Sequence, residues 1–130
     1  MSTVFSKIVA GEIPCYKIAE NDNFLAFLDV NPLVAGHTLV IPKIEQDYIF
    51  DLDNQVLESL IVFSKEVAVK LKKAIPCKRI GVSVIGLEVP HAHIHLIPIN
   101  SIQDMNFSKE KASFSPSELE DLQNQILSVN

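Results

Sequence analysis

The chain has 130 residues, 48% of them hydrophobic, and a formal net charge of −5. This length allows one domain with a hydrophobic core, and the acidic balance argues against non-specific nucleic-acid binding, because no basic field attracts phosphates. No apolar run approaches the roughly 20 residues of a membrane span, and the N-terminus has no signal-peptide pattern. Two cysteines without CxxC spacing favour free thiols in a cytoplasmic protein. We therefore expect one domain over residues 1–130, with a core at about 3–100 and a C-terminal extension at about 101–130.

Apolar spacing and turn-forming residues predict the secondary structure. In chain order, the predicted elements are a short helix at 5–9, strands at 16–20, 24–28 and 37–41, a long helix at 54–75, strands at 80–85 and 91–98, and a helix at 116–127. Ser115, Pro116 and Glu118 give the last helix an N-cap, a proline at its first position and a capping box. Short connections between most strands predict an α+β fold on a five-stranded antiparallel sheet, with one long helix, a short N-terminal helix and a C-terminal helix.

Three of the four histidines lie in one segment, His91-Ala92-His93-Ile94-His95. Side chains alternate along a strand, so the three imidazoles are predicted to share one face, with Ala92 and Ile94 towards the core. Neighbouring imidazoles on that face are roughly 6 to 7 Å apart, which suits a phosphate-sized group. Because histidine serves as base, acid, nucleophile or metal ligand, phosphate chemistry and a metal site both fit this row. Half-exposed strand histidines without a chemical role are the remaining interpretation.

The segment 91–97 matches the pattern H-φ-H-φ-H-φ-φ, in which φ is apolar, and resembles the signature of the histidine triad (HIT) family of nucleotide hydrolases and transferases. Four more segments resemble other landmarks of that family in the same order: Phe5–Ile8, Glu12–Pro14, Phe27–Pro32 and Gly36–Lys43. An HxHxH string alone is unspecific, whereas five ordered landmarks are specific. The resemblance implies the branch of small nucleoside phosphoramidases and hydrolases, which need no cofactor and are usually homodimers.

The resemblance also implies roles for individual histidines. His93 matches the nucleophile that attacks the α-phosphorus of a nucleotide and forms a covalent nucleotidyl-histidine, which water then cleaves. His91 and His95 would donate N–H groups to the phosphate oxygens. His37 would help to orient the site, and an ordinary strand-end histidine is the alternative.

The remaining expected contacts concern the nucleoside. Asp29 matches the carboxylate that accepts hydrogen bonds from both ribose hydroxyls, while a turn-forming aspartate before Pro32 is the other interpretation. An apolar slot for the base is expected from residues that could equally be core: Val4, Phe5, Ile8, Phe27, Leu28 and Val30.

The loop at 83–90 departs from the family pattern, because it is about three residues shorter. Ser83 and Gly86 remain candidate nucleotide contacts, but Glu88 stands where a hydroxyl donor to the phosphate is usual. An ionised carboxylate close to a phosphate costs on the order of 1 to 4 kcal/mol. Glu88 is therefore either an exposed loop residue or a general acid or base acting on the leaving group or water.

Some members of the family carry zinc on two N-terminal cysteines and histidines. Here the matching positions hold Thr3 and Ser6, so the site lacks its thiolates and no metal is expected. The predicted function is hydrolysis of a nucleoside 5′-monophosphate ester, amide or anhydride, with an adenosine nucleotide as the expected substrate. Two alternatives remain open: transfer of the nucleotidyl group to another acceptor, and a nucleotide-binding or protein-interaction module with little turnover.

Overall fold

A single antiparallel sheet organises the computed structural model, which describes residues 2–129. The sheet has the order β1-β2-β3-β5-β4, with β1 (Lys17–Glu20), β2 (Phe24–Leu28), β3 (Thr38–Pro42), β4 (Arg79–Ser83) and β5 (Ile94–Ile99). The helices are α1 (Val4–Val9), α2 (Asn54–Ala74) and α3 (Pro116–Leu127), with short 3-10 helices at Ile49–Asp51 and Ile102–Met105. The predicted α+β class and five-stranded antiparallel sheet are confirmed.

Local sequence determines where several elements end. The side chain of Asn21 accepts hydrogen bonds from the N–H groups of Asn23 and Phe24, which closes the turn between β1 and β2. Gly11 has a φ of 80° just after α1, a conformation that favours glycine. Ser115 caps α3, and its capping box with Glu118 is complete.

The two faces of the sheet are covered by different helices. Residues of α2 and α3, including Leu60 and Ile126, join the larger core cluster on one face. Phe5 of α1 joins a smaller cluster on the other face. That smaller cluster also contains Leu25, Phe27, Leu39 and Ile41. None of the helices within residues 2–129 combines the length and apolar content of a membrane span.

The strand that contains the histidines begins later than predicted. The strand β5 begins at Ile94, so His91 and His93 precede it. The N–H of His91 donates to the carbonyl of Val89, and the N–H of Ala92 donates to that of Gln46. These bonds take the place of regular strand pairing. The alternation of faces nevertheless persists, because Ala92 and Ile94 belong to the larger cluster.

The strand β4 is also shorter than predicted. It ends at Ser83, which pairs with His95 near the start of β5. Beyond this pair only Ile94 of β5 remains, and the side chains of Val84 and Ile85 are both exposed.

Candidate active site

A row of side chains crosses the sheet on the face covered by α1. Phe27 pairs with Leu39, Leu39 pairs with His95, and His95 pairs with Ser83. Directly opposed residues of antiparallel strands share a face. The predicted site residues Phe27, His95 and Ser83 therefore lie on one face, in a line from β2 to β4.

The central histidine has one ring nitrogen held and the other free. The Nδ1 atom of His93 lies 2.7 Å from the carbonyl oxygen of His91, which can only accept, so Nδ1 carries the proton. The lone pair is then on Nε2, for which residues 2–129 provide no hydrogen-bond partner. Because no fully buried polar side-chain atom in this range lacks a partner, Nε2 must reach solvent. This arrangement is the one a nucleophilic imidazole needs.

A chain of hydrogen bonds fixes the tautomer of His95. The backbone N–H of Leu33 donates to Nδ1 of His37 over 3.0 Å, so the proton of neutral His37 is on Nε2. That Nε2–H donates to Nδ1 of His95 over 2.9 Å. The proton of His95 is therefore on its Nε2, which has no partner among the described residues. His37 thus orients His95 and leaves it with one free N–H donor.

Burial keeps His37 and His95 neutral. It lowers the pKa of His37 to about 4, with smaller contributions from Lys111 and His93. It also lowers the pKa of His95 to about 4, with further lowering by His37 and His93 and an opposing effect of Asp29. Both imidazoles are therefore neutral at pH 7, as the hydrogen-bond directions require.

His91 departs from its expected role as a phosphate donor. The side chain is fully buried, and its Nε2 lies 2.8 Å from the carbonyl oxygen of Pro42. Nε2–H therefore donates to that carbonyl, and Nδ1 accepts from the hydroxyl of Thr3 over 3.0 Å. With both nitrogens engaged, His91 has no N–H left for a phosphate. Its contribution to the site is instead the carbonyl oxygen that holds His93.

Asp29 is a turn-forming aspartate whose second carboxylate oxygen stays available. One carboxylate oxygen accepts the N–H of Asn31 over 2.8 Å, as in a turn-forming aspartate. The other oxygen lies 3.6 Å from Nε2 of His37, and the side chain is 20% exposed. The carboxylate is therefore oriented by its turn and stays accessible beside the His37–His95 pair.

Only some of the residues predicted to form the base slot contact one another. Phe5 and Phe27 meet edge to face with ring centroids 5.6 Å apart, and Ile8 packs on the same cluster. Val4 and Val30 are 43% and 59% exposed. Leu28 points to the larger cluster on the opposite face, because it follows Phe27 directly in a strand. Leu28 therefore does not line the same slot as Phe27.

The loop before the histidines leaves its candidates at the surface. Glu88 is exposed, and Ser83 and Gly86 are half-buried. Gly86 has a φ of 75° and so requires the conformational freedom of glycine. Glu88 makes none of the hydrogen bonds described within residues 2–129, and its exposed position agrees with the simpler of its two interpretations.

Two places in the structure could be considered for a metal ion, and neither offers a suitable set of ligands. The ligand atoms of Asp29, His37 and His95 lie within 4.8 Å of one another. However, Nε2 of His37 carries a proton while its Nδ1 accepts from Leu33, so it has no lone pair for a metal. At the N-terminus, the neutral hydroxyls of Thr3 and Ser6 replace the thiolates that zinc prefers.

Sequence reasoning missed an aromatic residue at this site. The ring of Phe107 lies 4.8 Å from that of His95 and 6.2 Å from that of His37, measured between centroids. The segment around it is held down where the N–H of Ala112 donates to the carbonyl of Pro32. Phe107 is an isolated aromatic in a polar stretch, so no periodic pattern marks it.

Comparison with known proteins identifies the family of this chain. The model of the HIT domain family matches residues 10–102, and the chain belongs to that family. A HIT-like protein of Borreliella burgdorferi is 38% identical over 102 residues, which is 73% of each chain. The adenosine 5′-monophosphoramidase of Schizosaccharomyces pombe is 38% identical over 103 residues, covering 75% of this chain and 74% of that protein.

Solved structures show the same fold over almost the whole chain. A HIT-like protein from Bartonella henselae has a TM-score of 0.84 at 30% identity, covering 98% of this chain and 95% of that chain. A zinc-bound histidine triad protein from Mycobacterium smegmatis has a TM-score of 0.81 at 26% identity, covering 98% and 92%. This chain therefore shares the HIT fold over nearly its whole length.

Proposed function

We propose that the protein hydrolyses a nucleoside 5′-phosphoramidate, ester or anhydride through a covalent nucleotidyl group on His93. The observation that carries the proposal is the fixed tautomer of His93, whose Nδ1–H is bound to the carbonyl of His91 while Nε2 stays free. A nucleophile must present its lone pair to phosphorus without first losing a proton, and this tautomer does so.

In the first step, Nε2 of His93 attacks the α-phosphorus. A bond from nitrogen to phosphorus forms, and the bond to the leaving group breaks. The leaving group departs with that electron pair and takes a proton from solvent. Positive charge develops on the imidazole ring, and the carbonyl of His91 stabilises it through the Nδ1–H bond. The free Nε2–H of His95 donates to the phosphoryl oxygens as their charge increases.

In the second step, water cleaves the intermediate. Its oxygen bonds to phosphorus, the phosphorus–nitrogen bond breaks, and the electron pair returns to Nε2 of His93. One water proton passes to solvent. The balance is one water consumed for each nucleoside monophosphate and leaving group released.

The nucleotide contacts follow from the accessible groups around this centre. Asp29 accepts hydrogen bonds from the ribose, supported by its orientation and its proximity to His37. The base lies against the apolar cluster of α1 and β2. Residues proposed to line or border this site are Val4, Phe5, Ile8, Phe27, Val30, Ser83, Gly86 and Glu88. AMP is the proposed product, because a relative with 38% identity is an adenosine 5′-monophosphoramidase.

Release of AMP from an adenosine phosphoramidate tests the proposal when wild type is compared with His93→Ala. The wild type should turn over, and the variant should lose at least about 10³-fold in kcat, since it has no nucleophile. AMP affinity, measured by calorimetry, should change little. Equally poor turnover by both proteins would instead support a nucleotide-binding module. Transfer of AMP to an added sugar phosphate in preference to water would support a transferase.

We further propose a homodimer in the cytoplasm. Support for the dimer comes from β4, which is an edge strand with the exposed apolar side chains Val82 and Val84 at its end. Support for the compartment comes from the free thiols of Cys15 and Cys77. Sedimentation equilibrium of the purified chain tests the dimer directly.

A further inference from the structure

An exposed carboxylate outside the reacting centre is linked to the histidines by hydrogen bonds. Glu45 lies in the segment that follows β3. Its Oε1 accepts the backbone N–H of Thr3 over 3.2 Å and the hydroxyl of Ser6. These bonds, the one from Ser6 foremost, lower the pKa of Glu45, so the carboxylate is ionised at neutral pH. Glu45 therefore holds the start of α1 through charge-assisted bonds.

Further hydrogen bonds connect the start of α1 to the buried side chain of His91. The N–H of Ser6 donates to Oγ1 of Thr3 over 2.9 Å, and the two hydroxyl oxygens are 3.0 Å apart. The Thr3 hydroxyl then lies 3.0 Å from Nδ1 of His91. A continuous path of hydrogen bonds thus runs from the surface carboxylate to the ring whose carbonyl holds His93.

Backbone carbonyl groups of the segment that carries Glu45 also accept hydrogen bonds from the histidine segment. The carbonyl of Pro42 accepts Nε2–H of His91 over 2.8 Å. The carbonyl of Gln46 accepts the N–H of Ala92 over 2.7 Å. Residues 42–46 therefore join α1 on one side to residues 91–92 on the other. Lys43 in this range pairs with Glu20 instead, so the charge that bonds to the start of α1 is that of Glu45.

We propose that Glu45 is a positioning residue for the reaction, which clamps α1 onto the histidine segment and keeps the Thr3 hydroxyl bonded to Nδ1 of His91. This inference rests on the proposed function. Its consequence is that the His91 carbonyl stays aimed at Nδ1 of His93. The clamp also sets the position of Phe5 of α1, whose ring centroid lies 5.0 Å from that of His93.

Three variants separate the charge of Glu45 from its hydrogen bonds. Glu45→Gln keeps an acceptor oxygen and loses the charge, whereas Glu45→Ala loses both. Asp47→Asn is the matched control, because Asp47 is an exposed carboxylate in the same stretch that makes no bond in this junction. We would measure kcat and KM for AMP release and the ring ¹⁵N shifts of the histidines, which distinguish the tautomers.

Glu45→Ala should lower kcat about tenfold to a hundredfold, since small displacements of a reacting group have effects of this size. Its ¹⁵N spectrum should show a shifted Nδ1 of His91, because the bond from the Thr3 hydroxyl weakens, while Nε2 keeps its proton against the carbonyl of Pro42. Glu45→Gln should recover most of kcat and the wild-type Nδ1 shift, and Asp47→Asn should match the wild type. The unfolding midpoint in urea should change little in all three, because Glu45 is exposed.

The clamp is refuted if Glu45→Ala keeps the wild-type kcat, or if kcat falls while the Nδ1 shift of His91 is unchanged. A loss of kcat in Asp47→Asn as large as in Glu45→Ala would also refute it. If even the wild type releases no AMP, the proposed hydrolase function fails, while the ¹⁵N spectra still decide the clamp. If Glu45→Ala does not fold, Ser6→Ala provides a partial comparison, because it removes the hydroxyl bond to Glu45 and keeps both the Thr3 cap and the Thr3 N–H bond to Glu45.

Discussion

His91 and His95 lie symmetrically around His93 in the sequence, and their surroundings differ in the folded protein. Both ring nitrogens of His91 are engaged, by Thr3 and by the carbonyl of Pro42. Only one nitrogen of His95 is engaged, by His37, and the other is free. One flanking histidine is thus a fully bonded part of the framework, and the other is a donor open to a ligand.

The difference shows that backbone groups decide what each imidazole can do. A carbonyl can only accept and an N–H can only donate, so each fixes the protonated nitrogen of the ring that it meets. The carbonyl of Pro42 makes Nε2 the donor of His91. The N–H of Leu33 donates to Nδ1 of His37, so His37 donates from Nε2 to Nδ1 of His95. The proton of His95 is therefore on its free nitrogen, Nε2. Identical side chains therefore receive different roles from the groups around them.

The largest expected effect is a loss of activity when His95, the flanking histidine with a free N–H, is replaced. His95→Phe keeps a ring of similar size and removes the donor to the phosphate, so kcat should fall by about 10²- to 10³-fold. Steady-state kinetics on an adenosine phosphoramidate would measure this, with AMP affinity as the control for an intact site. A decrease in kcat below about tenfold would contradict the role of His95 as the open donor.

The next effect concerns stability, for which substitution of His91 is expected to cost more than substitution of His95. His91→Phe leaves the Thr3 hydroxyl and the Pro42 carbonyl without their buried partner, at about 1 to 3 kcal/mol each. The free energy of unfolding, measured by urea denaturation, should therefore fall by about 2 to 5 kcal/mol. His95→Phe leaves only the Nε2–H of His37 unpaired and should cost less. If the free energy of unfolding fell equally in the two variants, the different structural roles of His91 and His95 would be contradicted.

The most gradual effect is on acid stability. The pKa of His37 and that of His95 are about 4 in the folded protein, below the ordinary value of 6.5. Between these values the unfolded chain binds more protons, so the free energy of unfolding should decrease as the pH falls from 6.5 to 4. The loss should reach about 3 kcal/mol for one such histidine, and above pH 7 these groups should have no effect.

Urea denaturation at a series of pH values would measure this dependence. His95→Phe is the informative comparison, because it removes one of the two titrating groups and should flatten the curve in this range. A curve with the same slope in the wild type and in the variant would show that His95 does not titrate as its burial predicts.

Sequence by itself determined the elements whose signals are local. The side chain of Asn21 closes a turn two and three residues ahead, and the Ser115 cap meets Glu118 three residues away. The alternation of His91, His93 and His95 with apolar residues was enough to place the imidazoles on the face opposite the larger core. The order of family landmarks was enough to predict the HIT fold, which the match over residues 10–102 confirms.

Tertiary structure decided everything that depends on partners distant in sequence. Thr3 and His91 are 88 positions apart, and His37 and His95 are 58 apart. No local pattern reveals which backbone or hydroxyl group will meet a given ring nitrogen. The tautomers, the start of β5 at Ile94, and the contacts of Glu45 and Phe107 became visible only in the folded chain. The row of histidines is encoded locally, whereas the division of roles within it results from long-range hydrogen bonds.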